Sequence, residues 1–256
     1  MIVKENTCPM PNLFVIAGPN GAGKSTSAPE LLSGVRRVAE FVNADVIQKV
    51  QGVSEIAAGR ITLNRLTALA EARKDMAFET TLASHLLLPR IRAMQALGYR
   101  FHLFFFWLPS ADMAIERVAA RVASGGHHIP EDTIRRRYER GLENFFKHYL
   151  LAADTWVLMN NTARPGTPVA SRGVGGRLTV SDNALWTTLT ARHMKPRAEE
   201  QTPISYSDVP WTVDDIVDAV NRAVTAALKR HKELGQSVVM WRDGKVVTLK
   251  PEEIEI

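Results

Sequence analysis

Cysteine is almost missing from this chain: Cys8 is the single one among 256 residues, which excludes an internal disulfide framework and a multi-cysteine zinc site. Long apolar runs are missing as well. The most apolar stretch, Leu103 to Leu108, is far shorter than the roughly 20 residues a helix needs to span a bilayer, and it reads as a buried strand. No apolar segment long enough for a secretory signal precedes residue 18. These absences predict a protein of the reducing cytoplasm with no membrane partner. Charge of one sign is only slightly in excess, with 32 Lys and Arg against 27 Asp and Glu and a pI of about 9.5. That balance suits anionic ligands and is too small to imply nucleic acid. No internal repeat, low-complexity tract or linker separates a second folding unit.

Glycine, by contrast, is concentrated where it matters. Gly18-Pro19-Asn20-Gly21-Ala22-Gly23-Lys24-Ser25 satisfies the phosphate-cradling pattern of Gly, four residues, Gly, Lys and Ser or Thr. An apolar run, Leu13 to Ala17, precedes it, and Ser25 to Leu32 can open a helix behind it, which is the strand, loop and helix order the pattern requires. Glycines permit the torsions and close approaches by which successive backbone amides converge on phosphate oxygens. Gly18, Asn20, Gly21, Ala22, Gly23, Lys24, Ser25 and Thr26 are therefore candidate ATP-binding residues. Lys24 would reach the outer phosphates and the Ser25 hydroxyl a Mg2+ ion.

Strand and helix patterns then alternate. Phe41 to Ala44 reads as a second strand ending at Asp45, Ser54 to Asp75 as a helix, and Met76 to Thr80 as a third strand. Ser84 to Leu97 reads as a helix and Arg100 to Leu108 as a fourth strand. Ser110 caps a further helix that breaks at Gly125-Gly126. Pro130-Glu131-Asp132 starts another, with an apolar stripe of Ile134, Tyr138, Leu142, Phe145 and Tyr149. Thr155 to Met159 is a fifth strand. Residues 162–210 are expected to be irregular, with one hairpin near Gly175-Gly176. Trp211 to Leu234 predicts a helix, and Asp243-Gly244 between apolar runs a hairpin. The fold class is thus α/β: a P-loop NTPase-type parallel sheet with helices on both faces, a helical lid, and a C-terminal helix and β-hairpin appendage. The whole chain, 1–256, reads as a single domain with its core at about 11–161 and the appendage at 211–256.

Ligands of such sheets sit beyond the carboxyl ends of the strands, where Asp45 and Glu79 fall. Asp45 is a candidate general base toward a substrate hydroxyl, or else a helix cap or a ligand of magnesium-bound water. Glu79 and Thr81 are candidates for holding a polar acceptor, with a magnesium-side role for Glu79 as the alternative. Six arginines between Arg117 and Arg140 flank the Gly-Gly break, the composition of a lid over phosphates. Arg121 and Arg136 are the favoured catalytic pair. His127 after the break is a candidate substrate contact.

Four segments in combination resemble the zeta toxin family of phosphate-loop kinases, its small bacterial members in particular. They are Gly18 to Ser25, Phe41-Val42-Asn43-Ala44-Asp45, Phe78-Glu79-Thr80-Thr81-Leu82, and Gly125-Gly126-His127-His128-Ile129-Pro130 running into Ile134 to Tyr138. The resemblance covers about Leu13 to Asn161. It implies ATP- and Mg2+-dependent phosphorylation of a hydroxyl on a nucleotide sugar, UDP-N-acetylglucosamine first, with Asp45 as base and Glu79 with Thr81 on the acceptor. It also implies a small helical antitoxin as partner. A polynucleotide-end kinase and a nucleotide-dependent binding switch without turnover are the competing readings.

Overall fold

Runs that are apolar at nearly every position, not at alternate ones, must be buried on both faces, as strands of a parallel sheet are. In a computed structural model, β1 (Asn12–Ala17), β2 (Glu40–Val42), β3 (Met76–Thr80), β4 (Arg100–Trp107) and β5 (Thr155–Asn160) pair in parallel in the order β2-β3-β1-β4-β5. The structure describes residues 10–33, 38, 40–126, 128–163, 165–194, 222, 225, 226, 228–242 and 245–254. His127, Asp243-Gly244 and most of the helix expected over Trp211 to Leu234 lie outside them.

The helices α1 (Lys24–Ser33), α2 (Ala44–Gln51), α3 (Glu55–Glu71), α4 (Leu87–Ala96), α5 (Ala111–Ala123) and α6 (Glu131–Asn144) connect these strands. Side-chain alternation along β4 shows how both faces are filled. Phe101, Leu103, Phe105 and Trp107 pack with Leu66 of α3 and Ile91 of α4, whereas Phe104 and Phe106 pack with Ala28 of α1 and Val118 of α5. The sheet is the P-loop NTPase-like arrangement expected from the sequence. Its far edge is antiparallel: β6 (Thr167–Arg172) and β7 (Leu178–Val180) add beyond β5 as the hairpin around Gly175-Gly176, whose φ values are 82° and 77°.

Three elements depart from expectation. The second strand ends at Val42, and Asn43 caps a helix by accepting from the backbone N–H groups of Asp45 and Val46, so Asp45 lies in the first turn of α2 and not at a strand end. After α6 the chain widens into a π-helical turn, Phe145–Tyr149, where Phe145 stacks on Phe105 at 4.2 Å, and a last helical turn, α7 (Leu150–Ala152), follows. Inside the segment expected to be irregular, α8 (Asn183–His193) forms. Asp182 caps it, and Trp186 stacks on Trp156 at 5.6 Å, a tertiary contact that overrides its threonine-rich composition. The C-terminal hairpin, β8 (Val238–Arg242) with β9 (Lys245–Leu249), is antiparallel and packs on α5.

At the opposite end of the sheet from the strand carboxyl ends, His102 of β4 is buried in a fixed hydrogen-bond chain. Asp75 accepts from both the backbone N–H and the side-chain amide of Asn12. That orients Asn12 Oδ1 toward His102 Nε2 at 3.1 Å, so Nε2 carries the proton and Nδ1 accepts from the Thr155 hydroxyl at 2.8 Å. Burial, with the Arg100 charge adding to it, lowers the His102 pKa to about 3. The unfolded chain therefore takes up this proton first: the stabilisation is complete above pH 6.5 and is lost as pH falls toward 3. Between pH 7 and pH 4 the loss is on the order of 3 kcal/mol. Urea unfolding across that range should show a steeper acid slope for wild type than for His102→Gln; identical slopes would refute the assignment.

Candidate nucleotide and acceptor site

Parallel register dictates what meets the glycine-rich loop. Ile16 lies opposite Glu79 and Ala17 opposite Thr80, while Val42 lies opposite Phe78. The residues that follow β1, β2 and the end of β3 therefore converge at one edge. Gly18 has φ 138°, and a Cβ there would overlap the carbonyl oxygen of Phe106, so the loop can cross β4 only with glycine at this position. The first turn of α1, opening at Lys24, points its amides back into the loop, an arrangement that attracts anions.

Lys24 is 5% exposed, and its ammonium donates to the Pro19 carbonyl at 2.8 Å and stands 3.7 Å from Glu79 Oε1. Burial lowers its pKa, and the charges of Glu79 and Asp45 oppose that shift. A polyphosphate in the loop would supply the rest of the missing countercharge. Glu79 is the hub of this corner. Its Oε2 accepts from the Ser25 hydroxyl at 2.7 Å and from the Asn43 amide at 3.0 Å. The geometry thus sets Glu79 against the residue expected to meet magnesium, the alternative reading of Glu79 from the sequence, while Thr81 also lines the neighbouring cleft.

That cleft has a volume of about 460 Å³. Asn20 and Lys24 of the loop, Asp45 and Glu55, and Thr81 with Arg136, Arg137 and Arg140 all line it. Arg137 pairs with Glu55, another residue of the lining, and its charge also acts with that of Asp45. Asp45 itself is exposed to the cleft, with its backbone fixed by the Asn43 cap. Of the sequence candidates, Asn20, Lys24, Asp45, Glu79, Thr81 and Arg136 share this space. Ser25 and Thr26 open α1 beside it. Arg121 is not on the cleft lining; it is exposed on α5, where its charge reaches Lys24. His127 lies outside the described residues.

Two residues take a role at the loop that the sequence did not assign them. Arg117 is 7% exposed and donates to the carbonyl oxygens of Asn161 at 2.9 Å and Thr162 at 2.7 Å. The Asn161 amide in turn donates to the Ala22 carbonyl of the loop. Arg117 therefore ties α5 and the end of β5 to the loop. Arg117 and Arg121 are four apart on α5, and no local pattern separates the buried arginine from the exposed one.

Residues 13–145, just over half of the chain, match the AAA domain family. This chain belongs to that family. The matched span contains the loop, Asp45, Glu79 and the arginines of α6, so the cleft lies inside the AAA domain. A Haemophilus influenzae protein described as uncharacterized is 27% identical over 123 residues, 47% of this chain and 88% of that protein. In fold, the AvrRxo1-ORF1:ORF2 complex solved with ATP is similar, with a TM-score of 0.57 and 16% identity over 88% of this chain and 81% of that one. The PezAT toxin-antitoxin system of Streptococcus pneumoniae is similar with a TM-score of 0.50 and 12% identity, over 86% of this chain and 88% of that chain. Among the described residues no helix is long and apolar enough to cross a membrane.

Proposed function

We propose that this AAA-domain chain is an ATP- and magnesium-dependent kinase that phosphorylates a hydroxyl of a nucleotide sugar, with UDP-N-acetylglucosamine as the leading acceptor. The observation that carries the reading is the cleft itself: a carboxylate, Asp45, and three arginines line one space together with the phosphate-loop lysine. The acceptor's identity comes from the resemblance to zeta toxins in the four sequence segments. Similarity in fold to a toxin-antitoxin complex supports an antitoxin as partner.

In this reading Asp45 accepts the proton of the acceptor hydroxyl as its oxygen bonds to the γ-phosphorus, and the β,γ-bridging oxygen departs with ADP. Lys24 and the loop amides hold the phosphates, and Arg136 and Arg121 stabilise negative charge on the transferred group. Ser25 and Glu79, a hydroxyl and a carboxylate already hydrogen-bonded together, are oxygen donors suited to a hard divalent cation and would hold magnesium with the phosphates. A cation held there would supply positive charge against the phosphates. Thr81 and His127 complete the acceptor contacts.

Incubation with ATP, magnesium and a panel of nucleotide sugars, followed by mass spectrometry, tests this. A phosphorylated UDP-N-acetylglucosamine that Lys24→Ala does not make is the expected result. ATP binding with no product from any sugar would defeat it and favour the binding switch, while phosphorylation of a polynucleotide end with steep salt dependence would favour the competing kinase.

A further inference from the structure

Leu82, two residues past the end of β3, adopts φ 57°, the left-handed region that a branched apolar side chain rarely occupies, and it is fully buried. Such a conformation is strained and persists only where its surroundings over-determine it. Here three contacts do so. The Leu82 N–H donates to Thr80 Oγ1 at 3.1 Å. Its carbonyl accepts from the side-chain amide of Asn144, itself 4% exposed, at 2.7 Å. One residue earlier, the Thr81 carbonyl oxygen lies so close to Gly141 that any Cβ there would overlap it.

Gly141 and Asn144 are three apart on α6, on the same side of the helix as Arg137, and Arg136 and Arg140 occupy the adjoining row that faces the cleft. The end of α6 is fixed in turn by the stacking of Phe145 on Phe105 in the π-helical turn, and its middle by the Tyr138 hydroxyl donating to the Leu108 carbonyl at 2.8 Å. The arginine helix and the end of β3 are thereby docked to each other backbone against backbone.

We infer that Gly141 and Asn144 are positioning residues: they clamp residues 80–82 in the left-handed turn and so set Glu79 and Thr81 in register with the arginine row of α6. Neither touches the cleft, and neither belongs to the segments by which the chain resembles known kinases. The clamp makes the acceptor wall a single rigid unit, with Thr81 and Arg136 at a constant separation. Its effect on turnover rests on the kinase reading above; its effect on the turn does not.

Two variants separate these effects. Gly141→Ala keeps a good helix former but displaces the Thr81 carbonyl, and Asn144→Ala only removes the donor to Leu82. Hydrogen-deuterium exchange of peptides covering 80–84 should be faster in both variants than in wild type and in Gly173→Ala, whose Cβ would meet nothing within 4 Å in the remote hairpin. With UDP-N-acetylglucosamine as probe, kcat/KM for the acceptor should fall by about tenfold or more, while ATP affinity measured by calorimetry changes by less than about twofold. Unchanged exchange over 80–84 would overturn the clamp, whichever acceptor the wild type uses. Faster exchange with unchanged acceptor kcat/KM would overturn the positioning role. If wild type modifies no sugar, the acceptor reading fails on its own, and the exchange result still decides the clamp.

Discussion

Replacing Asp45 with Asn is expected to reduce phosphotransfer to the acceptor by roughly a hundredfold to ten-thousandfold, the range that loss of a positioned general base produces. ATP affinity should stay within about twofold, because the loop, Lys24 and Ser25 are untouched. The substitution is close to isosteric, and the cap of α2 belongs to Asn43, whose oxygen accepts from the backbone at 45 and 46 whatever the side chain at 45. Structurally the variant loses a favourable negative charge in the first helical turn, worth about 0.3–1 kcal/mol, together with the attraction of that charge for Lys24 and Arg137. Single-turnover kinetics with ATP and UDP-N-acetylglucosamine, beside calorimetric ATP titration, separate the two quantities. An Asp45→Asn enzyme that turns over at the wild-type rate would remove Asp45 from the proton-transfer role and leave it as a residue of the cleft wall.

What was legible in the sequence was local. Buried strands announced themselves as runs without polar alternation, the loop as a spacing of glycines, and the cap Ser110 as a hydroxyl residue before an amphipathic stretch. Asn43 had the same signature, yet its adjacency to the apolar Phe41-Val42 run drew Asp45 into the strand; one hydrogen bond from Asp45 N–H decides the matter. Contacts remote in sequence were not legible. Glu79 meets Ser25 across 54 positions because β3 lies beside β1, and only the strand order reveals that. Gly141 reads as a weak point in a helix, and its reason, the Thr81 carbonyl far earlier in the chain, belongs to packing and not to propensity. The Trp186–Trp156 stack that recruits α8 is of the same kind.

Arg117 offers the sharpest contrast between a residue's appearance in sequence and its place in the fold. Two arginines four apart on α5 look equivalent, but Arg117 is buried and spans two carbonyls whereas Arg121 is exposed. Arg117→Ala strands the Asn161 and Thr162 carbonyls at the end of β5 and should destabilise the fold by about 3 kcal/mol, since hydrogen bonds to a charged donor and the desolvation of abandoned acceptors both count. Lysine in its place keeps the charge but cannot present the planar fork that reaches both oxygens, so Arg117→Lys should recover only part of that loss. Because Asn161 holds the Ala22 carbonyl, slackening at the end of β5 reaches the phosphate loop, and ATP affinity should fall by about tenfold, equivalent to about 1.4 kcal/mol. Arg121→Ala should leave stability within about 0.5 kcal/mol, as exposed substitutions do, and act on turnover instead. Urea unfolding and ATP titration on the pair make the comparison direct: equal unfolding midpoints for the two alanine variants would show that the Arg117 bridge contributes nothing to the fold, and an unchanged ATP affinity in Arg117→Ala would show that the bridge ends at β5 without reaching the loop.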